Sequence, residues 1–403
     1  MPWKANSVSE ERVRFVVDVE RGDRSMTIVC DAYGISRQTG YKWLDRYGAG
    51  GGFSALDDRS RAPARQAGAM GEDTATAIVD LRRLHPHWGP KKLRAWLLRE
   101  RPQLAWPAAS TMGDLLQRRG LTEVGRGQRR ATSQTQPFAA ITAPHQLWCI
   151  DFKGWFRTAD GQRCDPLTMT DAHSRYLLCT SIVAPTTAGV WPVCEQLFRE
   201  HGQPAALRMD NGSPFGSTGA AGLTRLSVRW VKLGIRLEWI MPGCPQHNGR
   251  LERTHRTMKQ ETCLPPSATA AEQQVRFDKF RCEFNTDRPH EALGQRTPAS
   301  VHIGHGRAYT GRMDDPWYDA DHQVRRVMAN GEVRWRDGFV YVSEALIGEL
   351  IGLAELPTGD WVARFADIDL GIIQRNCNEF LRFSAPRPGR AEPENKTRKL
   401  SAM

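Results

Sequence analysis

The chain has 403 residues, more than one hydrophobic core usually organises, so several domains are expected. Its 40% hydrophobic and 25% charged residues are the proportions of a soluble globular protein, and a net charge of +11 favours a polyanionic partner, nucleic acid before membrane. No run of eighteen apolar residues occurs and the N-terminus lacks the apolar segment of a signal peptide, so a cytoplasmic protein with no membrane partner is expected.

In chain order, residues 9–20 predict an amphipathic helix starting at Ser9, with Glu10 and Glu11 in its first turn. Residues 25–47 then read as a helix-turn-helix: a helix, Gly34 where a left-handed turn is wanted, Ile35 pointing inward, Ser36 as N-cap, and a second helix. In such a unit the start of the second helix meets base edges, which nominates Arg37, Gln38, Thr39 and Lys42. A Gly-rich hinge, GAGGGF, follows. Between 81 and 130, twelve Lys and Arg face three acids, a density that predicts phosphate contacts; Lys91, Lys92 and Arg94 lie in its segment WGPKKLRAWLLRE. With PAASTMGDLLQRRG behind it, that segment reads as a second helix-turn-helix.

At His145 the pattern changes. HQLWCIDFKGWF is strand-like, PLTMTDAHSRYLLCTSIV gives two strands around a turn at Ala172 to Ser174, and helices then alternate with the strands AALRMD and RLEWI. The succession predicts a mixed α/β sheet covered by helices. From about 306 the chain becomes strand-rich, predicting a small β-barrel or sandwich, and the last residues have a disordered composition. The expected divisions are helix-turn-helix 1–50, a second helical DNA-binding region 65–125, a basic linker 126–144, an α/β core 145–305, an all-β domain 306–385 and a tail 386–403. The nine cysteines contain no C-x-x-C pair and are expected reduced and mostly buried.

Three acids invite a common use. Asp151 sits in the first strand of the mixed sheet, Asp210 closes AALRMD, and Glu252 opens a helix on which Glu252, Arg256 and Lys259 share one stripe while Leu251 and Met258 face a core. Read singly, each has a plain structural use: Asp151 as an edge-strand residue, Asp210 as the start of an Asp-Asn-Gly turn, Glu252 as a surface partner of Arg256. Read together, with the two strands as neighbours, they form an all-oxygen cluster suited to Mg²⁺ or Mn²⁺, with Arg256 and Lys259 placed to hold DNA backbone. Asp171, at the hairpin end, is assigned a structural role.

The segments WCIDFKG, PLTMTDAHSRYLL, RMDNGSPF and PGCPQHNGRLERTHRTMKQE, in this order over residues 140–305, resemble those of DDE-type transposases of bacterial insertion sequences, whose catalytic core is of the retroviral-integrase kind. The resemblance implies a ribonuclease-H-like fold in a multidomain chain. Asp151, Asp210 and Glu252 would be its metal-binding catalytic triad, with two Mg²⁺ ions or Mn²⁺ in their place, and Asn248 would join Arg256 and Lys259 at the DNA. It implies cleavage at terminal inverted repeats, strand transfer into target DNA, homo-oligomeric assembly on that DNA and a place at the bacterial nucleoid. Forty-one residues separate Asp210 from Glu252, against the thirty-five that give the broader family its name, which leaves Glu238 and Glu261 as rivals to Glu252. No His and Cys zinc module precedes the core, which favours a transposase over a viral-type integrase. A repressor or decayed element that binds DNA without catalysis is the competing reading. The uses of His247, His255 and the C-terminal domain stay open.

Overall fold

A computed structural model describes residues 7–58, 70–122, 138, 140–241, 248–375 and 379–384. Most of the expected linker, the whole expected tail, and His247 lie outside these residues. The chain divides into two compact units, Met1–Gly71 and Glu72–Met403.

The first unit is three helices. Helix α1 (Val8–Glu20) starts before Ser9, because Ser7 is the cap: its hydroxyl accepts from Glu10 N and the Glu10 carboxylate accepts from Ser7 N, a reciprocal capping box. Helix α2 (Met26–Ala32) ends at Gly34, which has the expected left-handed backbone (φ +64°), and Ser36 caps α3 (Arg37–Arg46) by accepting from Thr39 N at 3.2 Å. Helices α2 and α3 approach so closely at Gly40 that a Cβ there would lie 2.6 Å from the Met26 side chain. Phe15, Val16, Val29, Cys30 and Leu56 form the core, with Ile35 packed against it. The Gly-rich stretch is not an open hinge. It turns back through Gly50 and Gly52, both at positive φ, returns Leu56 to the core, and Arg12 donates to Leu56 O.

The second unit opens with helices α4 (Glu72–Leu84), α5 (Pro90–Glu100) and α6 (Ala109–Arg118), which pack on one another through buried Ile78, Leu93, Leu97, Met112 and Leu116. The mixed sheet follows. Strands β1 (Leu147–Phe152), β4 (Pro166–Asp171), β5 (Leu177–Ile182), β6 (Ala206–Met209) and β7 (Arg236–Trp239) lie in the order β5-β4-β1-β6-β7. β1 pairs antiparallel with β4 and parallel with β6. A small hairpin not expected from the sequence, β2 (Phe156–Arg157) with β3 (Arg163–Cys164), leaves the end of β1.

As the middle strand, β1 is buried on both faces, which alternation separates. Trp148 and Ile150 face the cluster shared with α7 (Thr187–His201) and α8 (Arg225–Lys232). Leu147 and Cys149 face the other side, where Leu251 of α9 (Gly249–Thr262) joins them. Further along α9, Met258 packs with Phe277, Phe280 and Phe284 of α10 (Ala270–Thr286). A short helix α11 (Pro298–Val301) closes the core.

The C-terminal part is all-β, as expected. β8 (His322–Arg326), β11 (Leu350–Glu355), β12 (Trp361–Phe365), β13 (Ile368–Ile373) and β14 (Phe380–Arg382) form an antiparallel sheet in the order β14-β13-β12-β11-β8, and β9 (Glu332–Trp335) pairs with β10 (Gly338–Tyr341) as a hairpin. Lys232 of α8 ties this region to the core through Glu349 at 2.7 Å and Asp315 at 3.0 Å. Among the described residues no helix is long and apolar enough to cross a membrane. Six of the seven described cysteines are buried and all seven are free thiols.

Candidate active site

The register of the sheet brings two of the three acids together. β1 and β6 run parallel with Leu147 opposite Ala206 and Cys149 opposite Arg208. The pairing ends there; Asp151 and Asp210 each lie two residues beyond its last pair, at the carboxyl ends of adjacent parallel strands, where the loops leave a crevice, and Asp151 feels the Asp210 charge. Alternation puts Asp151 on the same face as Leu147 and Cys149, and that is the face α9 covers with Leu251. Glu252 follows Leu251 directly, so the contact that seats the helix also delivers this carboxylate to the crevice.

The electrostatics carry the same geometry. The Asp151 carboxyl is pushed up to about 7, first by burial, then by the Asp210 charge, with Glu252 a further contribution. Asp210 is also raised by burial, partly offset by the N–H of Gly212, and its Oδ1 is buried with no hydrogen-bond partner. Asp210 therefore does begin the Asp-Asn-Gly turn, yet one of its oxygens is left for something else. Asn211 pins that turn by donating to Ile240 O at 2.7 Å. Among the described residues no three His, Cys, Asp or Glu side chains stand close enough to hold one metal ion. The donor set fits a hard cation: carboxylate oxygens only, one of them buried and unpartnered.

The rival acids are all occupied. Glu238 binds Arg208 at 2.9 Å and Arg236 at 3.0 Å. Glu261 binds the buried Arg288 at 2.7 Å. Asp171 is buried and accepts from His145 N, His173 N, Ser174 N and Ser174 Oγ, the structural role expected of it. Glu252, by contrast, makes no ion pair with Arg256, which removes its use as a surface partner. Asp151 is in the middle of the sheet, which removes the edge-strand use.

His255, whose part the sequence left open, links α9 to β4. Its Nε2 lies 2.6 Å from Thr168 Oγ1, and that hydroxyl donates to the carbonyl of Asp151, the residue opposite it in the register. Thr168 has one proton, so Nε2 carries the hydrogen and donates. Burial, then the Lys153 charge, lowers His255 to about 4, so it stays neutral. The link from α9 through Thr168 fixes the helix to the strand that carries Asp151. Its sequence signal was only the spacing of three residues from Glu252.

The expected DNA contacts separate into three groups. Arg37, Gln38 and Lys42 are exposed on one side of α3 around an open concavity, and Thr39 beside them also accepts or donates to the Ser36 hydroxyl at 2.9 Å. Arg256 and Lys259 are exposed on α9. The others are engaged within the protein: Lys91 pairs with Glu291 at 3.1 Å, Arg94 donates to Pro107 O at 2.9 Å, and burial, followed by the Arg288 charge, lowers Lys92 to about 8. Asn248 is buried, makes no side-chain cap on α9, and has an unpartnered Oδ1.

Comparison with known proteins matches residues 141–245 and 233–298 to integrase core domain models, residues 11–64 to a helix-turn-helix domain and residues 39–116 to a homeodomain-like domain. The insertion element IS407 uncharacterized 31.7 kDa protein of Burkholderia multivorans is 25% identical over 240 residues, 58% of this chain and 82% of that protein. Among solved structures, the HTLV-2 integrase catalytic core domain in complex with magnesium is similar at 16% identity and a TM-score of 0.31, over 40% of this chain and 98% of that one. A simian T-cell lymphotropic virus intasome in complex with PP2A regulatory subunit B56 gamma is similar at 13% identity and a TM-score of 0.36, over 77% of this chain and all of that one. The chain thus carries helix-turn-helix matches ahead of an integrase core domain match, and is similar over that core to an insertion-element protein.

Proposed function

We propose that the protein cleaves DNA at the ends of an insertion sequence and joins those ends to target DNA, with Asp151, Asp210 and Glu252 as its catalytic carboxylates. The observation that carries this reading is that Asp151 and Asp210 stand at the carboxyl ends of the adjacent strands β1 and β6 and, with Glu252, act on the Asp151 carboxyl, while every rival acid is occupied elsewhere. These three would hold Mg²⁺ or Mn²⁺, two ions in all, and the bound cations would activate the attacking oxygen and stabilise the leaving one. The chain's own residues do the rest. α9 and the His255–Thr168 link hold Glu252 against the sheet, Arg256 and Lys259 present positive charge beside the crevice, and Arg37, Gln38, Thr39 and Lys42 read base edges in the terminal repeats. Cleavage breaks the bond to a 3′-oxygen and takes up water. In joining, that 3′-hydroxyl forms a new P–O bond while a 3′-oxygen of the target leaves, so bond number is conserved. Two ends must meet, which requires a homo-oligomer on DNA. The division into 1–50, 65–125, 126–144, 145–305, 306–385 and 386–403 remains the proposed domain plan.

The test is cleavage and joining of labelled DNA bearing the terminal repeats, in Mg²⁺, in Mn²⁺ and in chelator. Joined products are expected with either metal, and Glu252→Gln should lower their yield by on the order of 10³-fold or more while leaving DNA binding intact. Binding without metal-dependent cutting by the wild type would refute the catalytic reading and leave a DNA-binding protein.

A further inference from the structure

A second gathering of like charge lies on the side of α9 away from the acids. The turn from β4 to β5, the first turn of α9 and the segment 292–301 enclose a pocket of about 540 Å³. Arg175, Arg250, Arg296 and His173 line it together with apolar residues, and no carboxylate does. Among the described residues none of the three arginines has an acid partner within ion-pair distance. The nearest suitable carboxylate, Asp171, already accepts four hydrogen bonds from the turn itself.

Such a group costs free energy when nothing offsets it, since partly buried guanidinium groups repel one another. The cost is visible at Arg175. Arg175 is lowered by burial, with Arg253 adding to it, and its Nε is buried with no partner. The backbone of Arg175 is left-handed (φ +64°), a conformation that a long side chain adopts only where its surroundings hold it there. Arg250 is fixed in place from two sides, donating to Ala172 O and stacking 3.8 Å from the Phe138 ring centre. Arg296 donates its Nε to Leu293 O, leaving both terminal nitrogens for the pocket. A strained, preorganised fork of three guanidinium groups without a counter-ion is built for an anion with several acceptor oxygens.

We propose that this pocket binds a backbone phosphate of DNA through Arg175, Arg250 and Arg296, giving the core a second DNA contact on the face of α9 opposite the acids. The identity of the phosphate's source rests on the DNA reading above; the anion site itself does not. A duplex gripped at both faces of α9 would be registered against Glu252 by a rigid element, which is how a distant contact can set the position of a scissile bond.

The test uses the full chain with Arg175→Gln/Arg296→Gln, which keeps the aliphatic stems and leaves the structural contacts of Arg250 untouched. The control is Arg225→Gln/Lys279→Gln, two exposed cations outside the pocket that remove the same charge. Two quantities are read: affinity for a labelled duplex of random sequence across a range of NaCl, and the shift in melting temperature produced by inorganic phosphate. The pocket variant should bind duplex roughly tenfold more weakly than the control, with a salt slope shallower by about one unit. Inorganic phosphate should stabilise the wild type and the control, and stabilise the pocket variant less. Equal affinity, slope and phosphate response in the two variants would overturn the proposal. If the wild type binds no duplex but its phosphate response is lost in the pocket variant alone, the anion site stands and the DNA reading fails.

Discussion

The two sides of α9 differ in sign and share a design. Toward the sheet ends lie Asp151, Asp210 and Glu252, with one carboxylate oxygen buried and unpartnered. Toward the β4–β5 turn lie Arg175, Arg250 and Arg296, with one guanidinium nitrogen buried and unpartnered. Three other buried cations of the core are paired with acids: Arg208 with Glu238, Arg288 with Glu261, Lys232 with Glu349. A fold under selection for stability alone would have paired these two groups as it paired the rest. The contrast separates charges that are paired within the protein from charges that the proposals above assign to a ligand.

Substitution should therefore have opposite signs at two buried acids less than thirty positions apart. Asp171 is the compensated one, and Asp171→Ala would strand three backbone N–H groups and the Ser174 hydroxyl. A loss of about 3 kcal/mol is expected in urea unfolding of the metal-free protein. A loss below ~1 kcal/mol would show that the turn reorganises and that Asp171 is not its keystone.

Asp151 is the uncompensated one. Its carboxyl titrates at about 7 in the folded chain, against 3.8 for the ordinary group, so folding favours its protonated form. Stability is then lost as pH rises from the ordinary value through about 7, because the unfolded chain gives up its proton first. Asp151→Asn removes that penalty and should stabilise the chelated protein by about 1–2 kcal/mol above neutral pH. The gain should vanish near pH 4 and, if Asp151 is a metal ligand as proposed, should reverse in saturating Mg²⁺. Destabilisation by Asp151→Asn at pH 8 in chelator would mean that the crevice is not a site of charge repulsion.

Much of this was legible from residue order because the relevant signals are local. Gly34 and Ser36 announce the turn and cap of the helix-turn-helix by backbone conformation and hydrogen bonding that depend on nearest neighbours, and both stand where expected. Asp171 could be set aside as structural because it precedes a tight turn of its own hairpin. The meeting of Asp151 and Asp210 was an inference conditional on β1 and β6 being neighbours, and the two strands are neighbours. What sequence could not give was partnership across long separations. Lys91 looked like a free phosphate ligand until Glu291 appeared beside it, two hundred positions away. Asn248 looked like a surface reader, since nothing in its neighbours announces its burial. Arg175 and Arg250 drew no notice because neither stands in a basic run; the fold alone makes them adjacent. The Gly-rich stretch misled for the opposite reason, since glycine permits a sharp return to the core as readily as it permits flexibility.

The smallest expected effect distinguishes the two faces of α9 from each other. Lys259 is exposed on the outer stripe, free of ion pairs among the described residues, and carries no structural duty. If it touches one phosphate, Lys259→Ala should make the salt dependence of duplex binding shallower by about one unit and weaken binding equally on specific and random DNA, with no change in melting temperature. Combined with the pocket pair Arg175→Gln/Arg296→Gln, the slope changes should add, because the two groups lie on opposite sides of the helix and would contact different phosphates. A combined slope no shallower than that of the pocket variant alone would place Lys259 off the DNA path and leave the arginine face as the one that grips. A Lys259 effect confined to specific ends would instead mean that it reads a base or a bent backbone rather than a phosphate as such.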